Sequence, residues 1–115
     1  MDPEDTVAQE EISGPFLAVM TVDDWSEAIR VADGVTYGLS ASICTNRLDR
    51  AKEFAGDIET GVVKITQTST GVELQMPFGG RKPPSSETFE EQGRQAVDLY
   101  THEKAVYMTP FTPEE

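Results

Sequence analysis

Three short apolar runs alternate with two helix-length amphipathic segments between residues 16 and 66. The runs cover residues 16–20, 40–45 and 62–66, and turn-forming residues bound them. Continuous apolar runs of this length are typical of strands that are buried on both faces. Strands that alternate with helices indicate a parallel sheet with right-handed crossovers. We therefore expect an α/β fold, a three-layer sandwich whose parallel sheet is built from a β-α-β-α-β unit.

Both intervening segments carry apolar residues at helical spacing. The first helix is predicted to begin after a cap at Thr21 or Asp23 and to end at Gly34. The second is predicted to begin after a cap at Asn46 and to end at Gly61. The apolar stripes consist of Trp25, Ala28, Ile29 and Ala32 in the first helix and of Leu48, Ala51, Ala55 and Ile58 in the second.

A long segment without periodicity follows the third predicted strand, from about Gln67 to Ser86. A loop of this length inside a compact domain is usually a binding loop or disordered. It contains Met-Pro-Phe-Gly-Gly-Arg-Lys at residues 76–82, in which the two glycines permit positive-φ geometry. Phe78 either anchors its own loop or lines a wall that a ligand contacts. Ligands of parallel sheets bind beyond the carboxyl ends of the strands. Because the loop leaves from that edge, we favour the wall.

The remaining segments are short. Thr88, or alternatively Ser86, can cap a short helix, and Glu91 three residues after Thr88 fits a capping box. Residues 104–108 are predicted to form a last strand. We expect residues 1–9 to be a disordered acidic N-terminus and residues 109–115 a disordered tail, which leaves residues 10–108 as the folded domain.

The charge of the chain excludes several classes of partner. Its 115 residues include 21 acidic and 9 basic side chains, which gives a net charge of −12. A phosphate-binding surface needs basic residues, so we expect neither nucleic acid nor a membrane as partner. No apolar run approaches the roughly 18 residues of a membrane helix, and we expect a cytoplasmic protein. The excess of acids resembles halophilic surfaces, and an acidic mesophilic protein is the alternative.

Few residues are candidates for chemistry. A single cysteine, Cys44, excludes an intrachain disulfide and a cysteine-built metal site. It lies in a predicted strand without a cationic neighbour in sequence, which predicts a buried, inert thiol. His102 is predicted to be a solvated surface residue. Glu11 and Glu91 are the carboxylates that adjoin glycine breaks, although each taken alone also fits a solvated surface position.

Six segments, in this order and spacing, resemble the C-terminal part of aldehyde dehydrogenases. The resemblance covers residues 8 to 108. The segment 67–75, together with residues 88–93, is similar to the branch that acts on α-ketoglutarate semialdehyde. The six segments are Glu-Ile-Ser-Gly-Pro at 11–15, Tyr-Gly-Leu-Ser-Ala at 37–41, Gly-Val-Val at 61–63, Pro-Phe-Gly-Gly-Arg-Lys at 77–82, Glu-Gln-Gly at 91–93 and Tyr-Thr-His-Glu-Lys at 100–104.

The resemblance implies roles for three residues. Glu11 matches a glutamate that accepts hydrogen bonds from the nicotinamide ribose hydroxyls, a task that suits a carboxylate. Phe78 matches an aromatic residue that lines the aldehyde pocket, and Glu91 a glutamate linked to proton transfer. The last strand matches one that joins an oligomerisation sheet. The implied cofactor is NAD or NADP in the complete enzyme, with none expected on this chain alone.

The chain also departs from the family pattern. Ser13 stands where the family has a phenylalanine, and Thr66 stands where asparagine is usual. The family's dinucleotide-binding domain, nucleophilic cysteine, general-base glutamate and oxyanion asparagine lie upstream of the part that matches. One hypothesis is therefore a C-terminal part of an enzyme that oxidises a small aldehyde to a carboxylate and needs its N-terminal part, or self-association. The alternative is a stand-alone, non-catalytic module for oligomerisation or regulation.

Overall fold

The regular elements form one small α/β unit with extended segments on either side. The computed structural model describes residues 1–83 and 91–110. Within these ranges, β1 and β2 pair in parallel, with Ser40 opposite Val62 and Ile43 opposite Ile65. The α/β class and the parallel pairing are confirmed. The elements are α1 (Thr6–Gln9), α2 (Trp25–Asp33), β1 (Ser40–Ile43), α3 (Leu48–Asp57), β2 (Val62–Ile65) and α4 (Arg94–Leu99).

Helix α2 begins and ends through local hydrogen bonds. Asp24 is its N-cap, and the Asp24 side chain accepts a hydrogen bond from the Glu27 amide at 2.8 Å. The predicted caps Thr21 and Asp23 were therefore wrong, because the extended backbone of Asp24 brings its carboxylate to the third helical amide. Gly34 ends the helix as predicted, and its amide donates to the Val31 carbonyl.

Helix α3 differs from the prediction at both ends. It begins after Arg47, which provides no side-chain cap, so the predicted cap at Asn46 is wrong. The Arg47 guanidinium instead donates to the Asp49 carboxylate in the first turn. The helix ends at Asp57 rather than at Gly61, with Ile58 as its C-cap. Glycine at position 61 is required by a close backbone contact with Gly79 and not by the end of the helix.

The buried core lies around helix α3. Ala51, Phe54 and Ile58 are the buried apolar residues of the described part. The ring centroids of Phe54 and Trp25 are 6.4 Å apart, which joins α3 to α2. The Arg50 guanidinium lies 5.2 Å from the Trp25 ring centroid, a cation–π distance. The β-α-β unit is thus held by Ala51 and Ile58 of the predicted α3 stripe and by Phe54, which the prediction left out, while the stripe residues Leu48 and Ala55 are exposed.

Two predicted strands are not confirmed, because residues 16–20 and 104–108 lie outside the sheet of the described residues. A strand needs a hydrogen-bonding neighbour, and neither segment has one here. Their side chains remain in solvent: Leu17 is 81 % and Tyr107 95 % exposed. The Cα radius of gyration is accordingly 21.4 Å, against about 13 Å for a compact chain of this length.

The segments predicted to be disordered are tested only in part. Residues 6–9 form the single turn α1, which has no side-chain cap and no buried residue. A helix this short is marginal in water, so the prediction for residues 1–9 stays a prediction. The predicted caps Ser86 and Thr88 and residues 111–115 lie outside the described residues. Helix α4 begins after Gly93.

Candidate functional site

The segment 76–82 packs against the amino ends of the two strands. The Gly38 carbonyl, before β1, accepts hydrogen bonds from the Gly61 amide at 3.0 Å and the Arg81 amide at 3.2 Å. A Cβ at Gly61 would lie 1.6 Å from the Gly79 carbonyl oxygen, so only glycine permits this approach. Gly79 and Gly80 themselves are not among the positive-φ glycines of the described residues. Their segment instead makes a close backbone contact.

The loop therefore runs back along β2, from Thr66 at its carboxyl end to Gly61 at its amino end. Phe78 therefore lies beside residues 61–64 of β2, although its loop leaves from the carboxyl end of this strand. The loop stays against the sheet because a residue of β2 and the glycine just before β2 contact it. Lys64 bonds to the carbonyls of Thr70 and Gly71, and Gly61 contacts Gly79. At its far end, the Lys82 side chain anchors it.

Lys82 is a buried cation for which the sequence indicated no role. Its side chain is 9 % exposed, and its ammonium donates to the carbonyls of Asp33 at 2.7 Å and Val35 at 2.9 Å. The Asp33 carboxylate lies 3.5 Å away. The lysine thereby satisfies carbonyls at the end of α2, where the helix dipole is negative. Its partners are 47 and 49 residues away in sequence, so no local signal could reveal the contact.

A cavity of about 450 Å³ lies between β2 and the returning loop. Phe78 is half-buried and lines it, together with apolar side chains of both walls. The polar lining consists of Lys64, Gln67, Glu73 and Gln92. The apolar lining side chains are Val62, Val63, Val72, Met76, Pro77 and Phe78. The cavity has the mainly apolar wall and few polar groups that small-molecule sites share.

Lys64 joins the loop to β2 at the cavity. Its ammonium donates to the Thr70 carbonyl at 2.7 Å and also to the Gly71 carbonyl. Gly71 has a φ of +82°, a conformation that favours glycine. The polar contacts of Lys64 are thus with neutral carbonyls, and no ion pair involves it within the described part of the chain.

Two of the three predicted site residues lie together. The Glu91 amide donates to the Phe78 carbonyl at 2.9 Å, and Gly93, with a φ of +67°, donates to the Leu74 carbonyl at 3.2 Å. The Glu91 side chain is exposed. The segment after the undescribed residues therefore closes on the loop that carries Phe78.

Glu11 lies at a different place. It lines a second cavity, of about 460 Å³, with Tyr37 and residues of α1. Its amide donates to the Tyr37 hydroxyl at 3.3 Å, and its side chain is exposed. Among the described residues, the Glu11 carboxylate has no hydrogen-bond partner. The structure thus brings Phe78 and Glu91 together through a backbone hydrogen bond and leaves Glu11 outside the cavity that Phe78 lines.

Thr66 occupies a strained position at the carboxyl end of β2. Its φ is +54°, the left-handed region that β-branched residues rarely adopt. The Thr66 hydroxyl donates to the Thr45 carbonyl at 2.9 Å and accepts from the Thr45 amide at 3.4 Å. These bonds join the ends of the two strands and begin the loop. Asparagine, usual here in the resembled family, tolerates this φ better.

Neither of the other reactive candidates belongs to a site. Cys44 is exposed, so the prediction of a buried thiol was wrong. It follows β1 on the same side as Ser40 and Ser42, a side of the strand that is exposed. His102 is exposed, as expected. In residues 1–83 and 91–110, no group of three metal-binding side chains occurs, and no helix is long and apolar enough to span a membrane.

Comparison with known proteins decides the family. The model of the aldehyde dehydrogenase family matches residues 1–106. The chain belongs to the aldehyde dehydrogenase family. This membership confirms the resemblance that the six sequence segments indicated.

Several relatives of this aldehyde dehydrogenase chain share a substrate name. It is 50 % identical to the alpha-ketoglutarate semialdehyde dehydrogenase of Haloferax volcanii, over 93 % of this chain and 22 % of the relative. It is 48 % identical to the alpha-ketoglutaric semialdehyde dehydrogenase of Bacillus subtilis, over 91 % and 21 %. The chain therefore spans about a fifth of the length of these relatives.

A solved structure supports the fold. The chain superposes on the Mycobacterium tuberculosis aldehyde dehydrogenase complexed with NAD⁺ with a TM-score of 0.85 and 32 % identity. The match covers 98 % of this chain and 23 % of that one. The extended segments of the described structure are thus part of an aldehyde dehydrogenase arrangement.

Proposed function

We propose that this chain is the C-terminal part of the catalytic domain of an NAD(P)-dependent aldehyde dehydrogenase that oxidises α-ketoglutarate semialdehyde to the carboxylate. The observation that carries the proposal is the cavity lined by Phe78, in a chain that the family matches over residues 1–106. Two relatives at 48–50 % identity bear the name of this substrate.

Phe78 provides an apolar wall for the aldehyde substrate. Its segment is held after Phe78 by the contact of Gly79 with Gly61 and by the buried Lys82, and before Phe78 by the hydrogen bond from Gly93 to Leu74. A wall that is fixed before the substrate arrives loses little entropy on binding. The hydrocarbon part of a small aldehyde can pack against Phe78, which excludes water from the reacting carbon.

Glu11 provides a contact to the ribose of the cofactor. Its carboxylate is exposed and has no partner among the described residues, while the Tyr37 hydroxyl holds its amide. A carboxylate in this state can accept hydrogen bonds from two vicinal hydroxyls. The nicotinamide of NAD(P), when bound in the complete enzyme, supplies the hydride acceptor.

Glu91 holds or moves a proton beside the substrate wall. Its amide bonds to the Phe78 carbonyl, which sets its position relative to the cavity, and its exposed carboxylate can exchange protons with water. The Glu91 side chain itself is not among those that line the cavity.

The remaining parts of the catalytic machinery come from segments outside these 115 residues. The oxidation needs a thiolate that adds to the aldehyde carbon, and we assign this thiolate to one of those segments rather than to the exposed Cys44. Residues 16–20 and 104–108 complete the β-α-β-α-β sheet and an oligomerisation sheet when partner strands pair with them. Without these strands, their apolar side chains favour self-association.

A chimaera tests the proposal. The matching 107 residues of the Haloferax volcanii relative are replaced by this chain, and NAD(P)H formation is measured with α-ketoglutarate semialdehyde. We expect an active chimaera, a rise in the KM for aldehyde in Phe78→Ala, and a rise in the KM for cofactor in Glu11→Gln. The conservative Phe78→Tyr and an exposed control, Glu53→Gln, should keep activity. A well-folded chimaera without turnover would refute the proposal.

The exposed apolar segments favour one second candidate, a non-catalytic module that oligomerises or regulates. Leu17, Val106 and Tyr107 are all more than half exposed, as the surface of an assembly module would be before assembly. This candidate predicts that the chimaera forms its oligomer but that Phe78→Ala and Glu11→Gln leave both KM values unchanged.

A further inference from the structure

The cavity behind Phe78 is lined by a cation that forms no ion pair with any acidic residue of the described ranges. Lys64 lines this cavity, and its ammonium donates to the neutral carbonyls of Thr70 and Gly71. An ammonium has three N–H donors, so these two contacts leave one. In a chain of net charge −12, a half-buried lysine without an ion pair in the described residues is an unusual arrangement.

A second polar side chain of the cavity has a hydrogen-bonding atom without a partner among the described residues. Gln92 lines it, and the Gln92 side-chain Oε1 is buried without a partner among the described residues. Rotation of the amide by 180° exchanges its oxygen and nitrogen, so Gln92 can donate to an oxygen atom of a bound molecule. Glu73, the acid of the lining, accepts a hydrogen bond from Gln75 at 3.2 Å and forms no ion pair with Lys64.

We propose that Lys64 recognises the carboxylate of the substrate, and that the cavity therefore selects short aldehydes that carry an acid group at the far end. Valine side chains and Phe78 contact the carbon chain, while Lys64 and Gln92 bind the oxo-acid group. This inference rests on the proposed function for the identity of the substrate. It adds the group that distinguishes an acidic aldehyde from a neutral aldehyde of equal length.

The experiment separates charge from loop support, since Lys64 also holds the loop. The full chain, labelled with ¹⁵N, is titrated with 2-oxopentanoate, which keeps the oxo-acid group but has no aldehyde, and with the neutral ketone 2-pentanone. Amide shifts of residues 64, 67, 72 and 92 report binding. We expect 2-oxopentanoate to bind, and 2-pentanone to bind about tenfold more weakly or not at all, because a charge-assisted hydrogen bond is lost.

Three variants identify the group responsible. Lys64→Gln keeps a hydrogen-bond donor for the loop but removes the charge, and we expect it to weaken 2-oxopentanoate binding about tenfold. Lys64→Arg should retain most of the binding. Lys52→Gln removes an equal charge from the exposed surface of α3 and should leave binding unchanged.

Two results would overturn the inference: no saturable shift with 2-oxopentanoate, or equal affinity in Lys64→Gln and the unaltered chain. Either result would leave the family membership and the chimaera's activity untouched. An inactive chimaera with Lys64-dependent binding of 2-oxopentanoate would instead refute the proposed function alone.

Discussion

The packed β-α-β unit and the two extended segments of this chain obey different rules. In the packed unit, from α2 to β2 with the returning loop, even a lysine is buried, because Lys82 has three acceptors around its ammonium. In the segments 16–20 and 104–108, large apolar side chains such as Leu17 and Tyr107 lie in solvent. Burial therefore follows from available partners more than from residue type. The unit has its partners within the described chain, whereas the two segments need partners from elsewhere.

Gly61→Ala is the strongest way to break the packed unit. The new Cβ would lie 1.6 Å from the Gly79 carbonyl oxygen, which is a backbone atom and cannot rotate away as a side chain could. We expect unfolding free energy to fall by about 3 kcal/mol or more, measured by urea denaturation. Gly56→Ala is the matched control, since a Cβ there meets nothing within 4 Å. It should stabilise α3 by about 0.5–1 kcal/mol. Equal effects of the two changes would contradict the close contact.

Lys82→Met tests whether the buried ammonium supports the unit. The variant keeps the apolar stem but leaves the carbonyls of Asp33 and Val35 without their donor. Since burying unpaired polar groups costs about 1–3 kcal/mol each, we expect a loss of about 2–3 kcal/mol in the same urea experiment. Lys52→Met on the exposed face of α3 should change stability by less than about 0.5 kcal/mol. A neutral Lys82→Met would show that the contacts do not stabilise the fold.

Thr66→Asn sharpens the boundary between the unit and its loop. The φ of +54° at Thr66 strains a β-branched residue, by roughly 1–2 kcal/mol. Asparagine tolerates this conformation and can still bond to Thr45 through its side chain. We expect a gain of about 0.5–1 kcal/mol in unfolding free energy. Thr21→Asn, at an exposed position, should gain nothing, and a destabilised Thr66→Asn would refute the strain.

The surface pair Arg47–Asp49 should give the smallest effect. The Arg47 guanidinium hydrogen bond to Asp49 lowers the pKa of that carboxyl to about 2, helped by the Arg50 amide at the start of α3. Because the pKa is lower in the folded chain, the contribution to stability is present above pH 4 and is lost as the pH falls towards 2. Carbon-detected NMR titration should show an Asp49 pKa of about 2 in the unaltered chain and a higher pKa in Arg47→Gln. An unchanged pKa in Arg47→Gln would contradict the pairing.

The sequence predicted the parts of the fold that depend on local signals. The ends of β1 and β2 to within two residues and the stop at Gly34 follow from periodicity and turn residues. The α3 stripe was predicted only in part, because Phe54 is buried and Leu48 is exposed. Asp23 and Asn46 each precede the observed cap by one residue, and Thr21 precedes it by three. Asp23 and Asp24 carry the same side chain, so the sequence does not distinguish them. Exposed Cys44 was missed because burial of a strand depends on neighbours that the segment itself does not specify.

The layout of the cavity that Phe78 lines could not be predicted from the sequence. The Pro-Phe-Gly-Gly motif indicated Phe78, yet the path of the loop back along β2 depends on contacts between Gly61 and Gly79 and between Lys82 and Asp33. Such long-range contacts have no periodic signature. The same reason explains why Lys64 was read as a strand residue and not as a cavity residue.

Hydrogen–deuterium exchange tests the comparison most directly, measured on this chain alone and on the chimaera. We expect the amides of α3 and β2 to be protected in the chain alone and in the chimaera, because their hydrogen-bond partners lie within the described chain. Amides of residues 16–20 and 104–108 should exchange rapidly in the chain alone and become protected in the chimaera. Equal protection of these two segments in both proteins would contradict the account.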